Sequence, residues 1–234
     1  MGYHSYYFMS NYYYFILVLP MVLFSFIASA KVNSAFNKYS QISSLRGLTG
    51  AQAANEVLRY YGINNVAVEQ VAGKLTDHYD PKANVIRLSD KVYNSTSVAA
   101  IGVACHEAGH AAQYAEGYFP VKLRSVIYPA CSIGSKVGFP LAILGLVFSF
   151  DFLVTLGIAF FGLAVFFQIV TLPVEFNASR RAVSVIDGTG ILGADELKGV
   201  KKVLTAAALT YVASLAVSLA NLLRLVLLTN RRRR

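Results

Sequence analysis

Apolar stretches long enough to cross a bilayer alternate along the chain with polar stretches whose hydrophobic residues recur at helix or strand spacing. Tyr13 to Ala30 carries no charged residue, and a helix of that length nearly crosses a hydrocarbon layer of roughly 30 Å. Tyr12, Tyr13 and Tyr14 on one side and Lys31 on the other suit the two interfaces. Residues 137 to 173 are almost continuously apolar, broken only by Ser149-Phe150-Asp151-Phe152. That pattern predicts two spans joined by a tight turn. The first is short, with Lys136 reaching back to the interface, and the second runs from about Phe152 to Leu172, with Pro173 marking its end. Val203 to Leu228 is a fourth span, interrupted only by Arg224.

Between these stretches the pattern is that of a water-facing domain. Thr49 is placed to cap a helix through about Tyr61, with Gly62 as its stop and Asn64-Asn65 as a turn. Val66, Val68 and Val71 suggest a short strand, and Asn84 to Leu88 a second, edge-like one beyond the turn Asp80-Pro81-Lys82. Ser95, Thr96 or Ser97 then caps another helix. The expected fold is a mainly α membrane protein with about four transmembrane helices and a small α+β catalytic domain. Its parts are an N-terminal anchor (1–30), a water-facing domain (31–136), a hairpin (137–173), a second polar segment (174–202) and a last span with a basic tail (203–234).

Composition supports the membrane reading, since 56% hydrophobic residues and a mean hydropathy of +0.51 exceed what one soluble core needs. The formal charge of +9 includes the run Arg231 to Arg234. The other basic residues are scattered, which points to topology and lipid headgroups rather than nucleic acid. Lys31, Lys38, Arg46, Lys122, Arg124, Lys136, Arg180, Arg181, Lys198, Lys201 and Lys202 flank the spans on the side shared by the two polar segments. They outnumber the terminal arginines, so the positive-inside rule places the catalytic domain in the cytoplasm. Ala28-Ser29-Ala30 resembles a signal-peptide cleavage site, but residues 1 to 12 lack Lys and Arg and an uncleaved anchor is expected. Tyr6 occupies the position where N-myristoylation after Gly2 asks for Ser or Thr. Cys105 and Cys131 make neither a disulfide framework nor a thiolate metal site, and weakly suit a reducing compartment.

The chemistry is concentrated in Ala104-Cys105-His106-Glu107-Ala108-Gly109-His110-Ala111-Ala112-Gln113, in a chain with only four histidines. On a helix His106 and His110 share a face and can grip one Zn2+, while Glu107 lies beside it as general base. Catalytic zinc takes three protein ligands, so a third is needed. Gln113 and Glu116 stand where a metzincin would continue with Gly and His, which excludes that class. Glu175 follows Pro173 in the second polar segment, on the same expected side as the histidines. Its bland alternative is a carboxylate favouring a helix N-terminus.

His106 to Gln113, together with Asp77-His78-Tyr79-Asp80-Pro81, Asn84 to Ser89 and Leu172 to Ala182, resemble the membrane-bound neutral zinc metallopeptidases of the YugP type. The resemblance spans nearly the whole chain. It implies a gluzincin-like, zincin-type peptidase with His106, His110 and Glu175 as ligands, Glu107 as base, and peptide or protein substrates, membrane proteins among them. The chain is more distantly similar to the HtpX-type membrane proteases, in which an aspartate four residues after the ligand glutamate supports a histidine. Ser179 holds that position here and Asn177 lies nearby, which leaves the support open.

Other readings compete. In a site-2-type intramembrane protease Asp187 of Ile186-Asp187-Gly188 would replace Glu175, and the motif helix would itself be a span. An energy-dependent protease needs a phosphate-binding loop, and no Gly-x-x-x-x-Gly-Lys-Ser/Thr occurs. A non-enzymatic scaffold has no use for a base beside its metal ligands. Asn84 to Leu88 is a candidate for binding extended substrate by strand addition. His78 is expected to make a structural hydrogen bond rather than stabilise an oxyanion, and Cys105, offset by about 100° from His106, to pack. Asn94-Ser95-Thr96 and Asn177-Ala178-Ser179 match the glycosylation pattern but would go unused in the cytoplasm.

Overall fold

The computed structural model describes residues 11–73 and 76–232. Gly2 and Tyr6, and the terminal Arg233 and Arg234, lie outside the described residues. In chain order the elements are α1 (Asn11–Ser40, with a π-helical turn at Tyr14–Val18), α2 (Gly50–Tyr60), β1 (Ala67–Val71), β2 (His78–Asp80) and β3 (Val85–Ser89). There follow α3 (Asp90–Tyr93), α4 (Val98–Ala115), α5 (Phe119–Val147), α6 (Asp151–Thr189) and α7 (Ala194–Arg232). Two compact units emerge: Ala30–Lys122 with Pro173–Ala208, and Met1–Ser29 with Leu123–Leu172 and Leu209–Arg234.

In the first of these units local sequence sets each helix start. Thr49 Oγ1 accepts from the Gln52 N–H at 3.2 Å and Gln52 Oε1 accepts from the Thr49 N–H at 2.8 Å, a reciprocal capping box that begins α2. Among the three candidate caps of α4 it is Ser97 that accepts, from the Ala100 N–H. The sheet order is β1-β3-β2, with β1 parallel and β2 antiparallel to β3. The Asn84 to Leu88 stretch is therefore not an edge: β3 is the central strand, hydrogen-bonded on both sides. Its burial explains why, because Val85, Ile86, Leu88 and Ser89 all face protein and such a strand needs neighbours along both edges. The third strand is only three residues long and runs straight into the Asp80-Pro81 turn, so it left no periodic trace. Leu58, Ile86, Leu88, Ile101, Ile186 and Ile191 centre a single core shared by the sheet and the helices around it.

Among the described residues, four helices are long and apolar enough to cross a membrane: Asn11–Ser40, Phe119–Val147, Asp151–Thr189 and Ala194–Asn230. The chain is a mainly α membrane protein carrying a small three-stranded sheet. All four helices extend past the apolar stretches into polar sequence. Notably, α6 runs through Pro173 instead of ending there. A proline removes one backbone hydrogen bond, and the packed, apolar turns on either side, with Val170 and Val174 buried, outweigh that loss.

Small residues let the helices of the membrane unit touch backbone to backbone. A Cβ on Gly138 would come within 2.4 Å of the Phe161 nitrogen, and one on Gly157 within 2.3 Å of the Ala142 nitrogen. Ala142, Leu146, Val154, Leu225 and Leu228 fill the layer beside this contact. Arg224, the one charge inside the fourth apolar stretch, lies over the Tyr14 ring at 5.2 Å from its centroid. Replacing Gly157 by Val must push α5 and α6 apart, at a cost of about 1–3 kcal/mol. The expected outcome is a lower midpoint of thermal unfolding for the detergent-purified variant, and an unchanged midpoint would contradict the close packing.

Candidate metal centre

The helix α4 owes its apolar character to burial in protein. From Val98 to Gln113 only Val103 and His106 escape full burial, and the helix is wrapped by the core of the unit that holds it. Among the described residues α4 is not one of the helices long and apolar enough to cross a membrane. Cys105 points into the same core, where burial pushes its thiol pKa up and keeps it a packing group.

His106 and His110, one turn apart, present their rings with centroids 4.7 Å apart and nearly perpendicular, at 83°. Glu175, from α6, brings its Oε2 to 3.3 Å from His106 Nε2 and 3.6 Å from His110 Nε2. These three residues form the group of possible ligands among the described residues, with donor atoms all within 4.8 Å of one another. Asp187 does not join them; it is exposed, twelve residues or about 18 Å further along α6. The other two ring nitrogens are occupied by protein: His110 Nδ1 lies 3.0 Å from Gln113 Oε1 and His106 Nδ1 lies 3.1 Å from Ser179 Oγ. Two imidazole Nε2 atoms and one carboxylate, oriented from behind and nearly buried, form a donor set of the type and number that catalytic zinc takes. The residues fit the metal.

Glu107 is on the same helix, one residue from His106, and is itself buried. Burial pushes its carboxyl up to about 7; His106 opposes the rise, while Glu175 and Asp77 add to it. A carboxylate in this setting is more basic than one in water, which is the property a general base needs.

Glycine between the histidines has a steric cause. A Cβ on Gly109 would lie 2.7 Å from the Ala178 carbonyl oxygen, so α4 and α6 meet there without a side chain between them. This contact lets Glu175 reach residues more than sixty positions earlier. His78 donates Nδ1–H to the Thr76 carbonyl at 2.7 Å, and Arg87 Nη1 approaches its Nε2 at 3.4 Å. Arg87 also pairs with Asp80 at 3.0 Å, which holds the Asp80 carboxyl below the usual range. Reasoning from sequence missed Gln113 as a partner of His110. Its spacing of three residues, which places both on one helix face, was the available signal. Ser179, left open beside Asn177, is the residue that meets His106.

A family model described as "Putative neutral zinc metallopeptidase" matches residues 14–230. The chain is 48% identical over 212 residues to the "Putative membrane protease YugP" of Bacillus subtilis (strain 168), an alignment covering 91% of this chain and 94% of that protein. No solved structure matches.

The Gly109 contact generates a comparison. Gly109→Val must separate α4 from the Ala178 backbone and is expected to lower zinc bound per purified chain severalfold. Gly102→Ala, whose Cβ would meet only the Val200 side chain at 3.1 Å, is expected to bind zinc as the parent does. Equal zinc content in the two variants, by elemental analysis, would count against the contact as the site's spacer.

Proposed function

We propose that this chain, which belongs to the neutral zinc metallopeptidase family, is a membrane-bound zinc endopeptidase with His106, His110 and Glu175 as ligands and Glu107 as general base. The observation that carries the reading is the convergence of three donor atoms from two helices, those of His110 and Glu175 on buried residues, beside a buried carboxyl that no ligand role consumes.

Bound zinc supplies Lewis acidity to a water and to the scissile carbonyl. The remaining work falls to this chain. His106 and His110 act as neutral imidazoles, their rings held by Ser179 and Gln113. Glu107 accepts a proton from the attacking water on a carboxylate oxygen and passes it to the leaving amine nitrogen, so the hydrolysis ends with the carboxylate regenerated. The surrounding core keeps bulk water from Glu107 and preserves its basicity. Substrates are peptides or proteins, membrane proteins among them, since the four spans keep the enzyme in the bilayer. The polar segments 31–136 and 174–202 face the cytoplasm in this reading, supported by the excess of Lys and Arg that flanks the spans on their side.

Two measurements check these assignments. Glu107→Gln is expected to keep its zinc and to lose hydrolysis of an unfolded protein substrate by 100-fold or more, a loss on the order of that seen when general-base catalysis is removed. Glu175→Gln is expected to lose zinc while Asp187→Asn retains it, and undiminished cleavage by purified Glu107→Gln would sink the mechanism. For orientation, a cysteine in place of the exposed Lys82 should react with a membrane-impermeant maleimide only after cells are broken. Labelling of intact cells would reverse the topology.

A further inference from the structure

We infer that Gln113 is a positioning residue that fixes His110 as the Nδ1–H tautomer, and that Asn177 and Arg181 on α6 fix Gln113 in turn. The inference rests on the metallopeptidase reading and adds to it the device that aims one ligand.

The argument follows donors and acceptors across the two helices. Gln113 is fully buried, with no exposed surface. Its Nε2 donates to the Val174 carbonyl at 2.8 Å and to Asn177 Oδ1 at 2.9 Å. A backbone carbonyl can only accept, so the amide nitrogen of Gln113 must point toward α6 and its oxygen toward His110. Asn177 has no freedom to reverse this. Arg181 Nε donates to the same Asn177 Oδ1 at 2.8 Å, and a guanidinium has no acceptor to offer. Arg181 is itself held by Glu116 at 2.7 Å and lies over the Tyr61 ring at 5.6 Å from its centroid. Gln113 Oε1 can therefore only accept from His110, which requires a proton on Nδ1 and leaves Nε2 as the nitrogen that faces Glu175.

With Nδ1 turned to Gln113, His110 Nε2 is aimed at Glu175 Oε2, 3.6 Å away, through contacts that are all supplied by protein. The Val174 carbonyl adds registration: it belongs to the residue just before Glu175, so one amide ties the helix position of the third ligand to the ring orientation of the second.

The test uses the full chain in detergent and Zn2+ alone, measured by competition with a chromophoric chelator. Gln113→Leu, close in volume and without donors or acceptors, is expected to weaken Zn2+ binding about 10–100-fold, the range found when the support of a ligand histidine is removed. Asn177→Leu is expected to weaken it less, and Asn177→Asp, which keeps the acceptor for Gln113 and Arg181, to recover most of the affinity. With four histidines in the chain, the His110 ring can be assigned by nitrogen-15 labelling. The parent protein should show a protonated Nδ1 whether or not zinc is bound. A folded Gln113→Leu protein that binds Zn2+ as tightly as the parent, or an unprotonated Nδ1 on His110 in the parent, would overturn the inference while leaving the peptidase reading intact. Failure of the parent itself to bind Zn2+ would overturn both.

Discussion

The contact between Gly109 and the Ala178 carbonyl is the constraint on which the catalytic unit depends. His106 and His110 come as a pair by helix geometry alone, but the carboxylate completing them lies more than sixty residues away on a helix that must approach within backbone distance. A single methyl group at position 109 would prevent that approach. The two intervening positions of the His-Glu-x-x-His pattern are thus filled for different reasons: Ala108 by the core behind the helix, Gly109 by the helix in front.

Around that contact the polar side chains are arranged so that few have a choice. His106 and His110 each have one nitrogen engaged with a protein group and one turned toward Glu175. Such a buried polar cluster is costly if incomplete and specific if satisfied. Its members alternate between α4 and α6, so the same hydrogen bonds that orient the site also register one helix against the other. Asn177, part of a glycosylation-like tripeptide in the sequence, spends its side-chain oxygen in this cluster.

Much of this was legible in advance because it rested on short-range rules. The His106 and His110 pairing, the Thr49 cap and the long apolar stretches each follow from residues a few positions apart. The family resemblance also carried the placement of Glu175, which is near the histidines in the structure. What escaped was non-local or too small to leave a pattern. Strand β2 has three residues and no periodicity, so β3 was read as an edge when it is the centre of the sheet. Pro173 looked like a terminator because a proline penalises an isolated helix, whereas α6 is held by packing on both sides of it. Gln113 was weighed only as a residue missing from another class of enzyme, since its partners Val174 and Asn177 lie about sixty positions away.

The pairing of Arg224 with Tyr14 bears on the lipid that surrounds the spans. A guanidinium held over a tyrosine ring is characteristic of the boundary layer, where both groups keep a polar end wet. The same contact ties α1 to α7, 210 positions apart in the chain but in one unit, so lipid at that level meets a guanidinium already covered on one face.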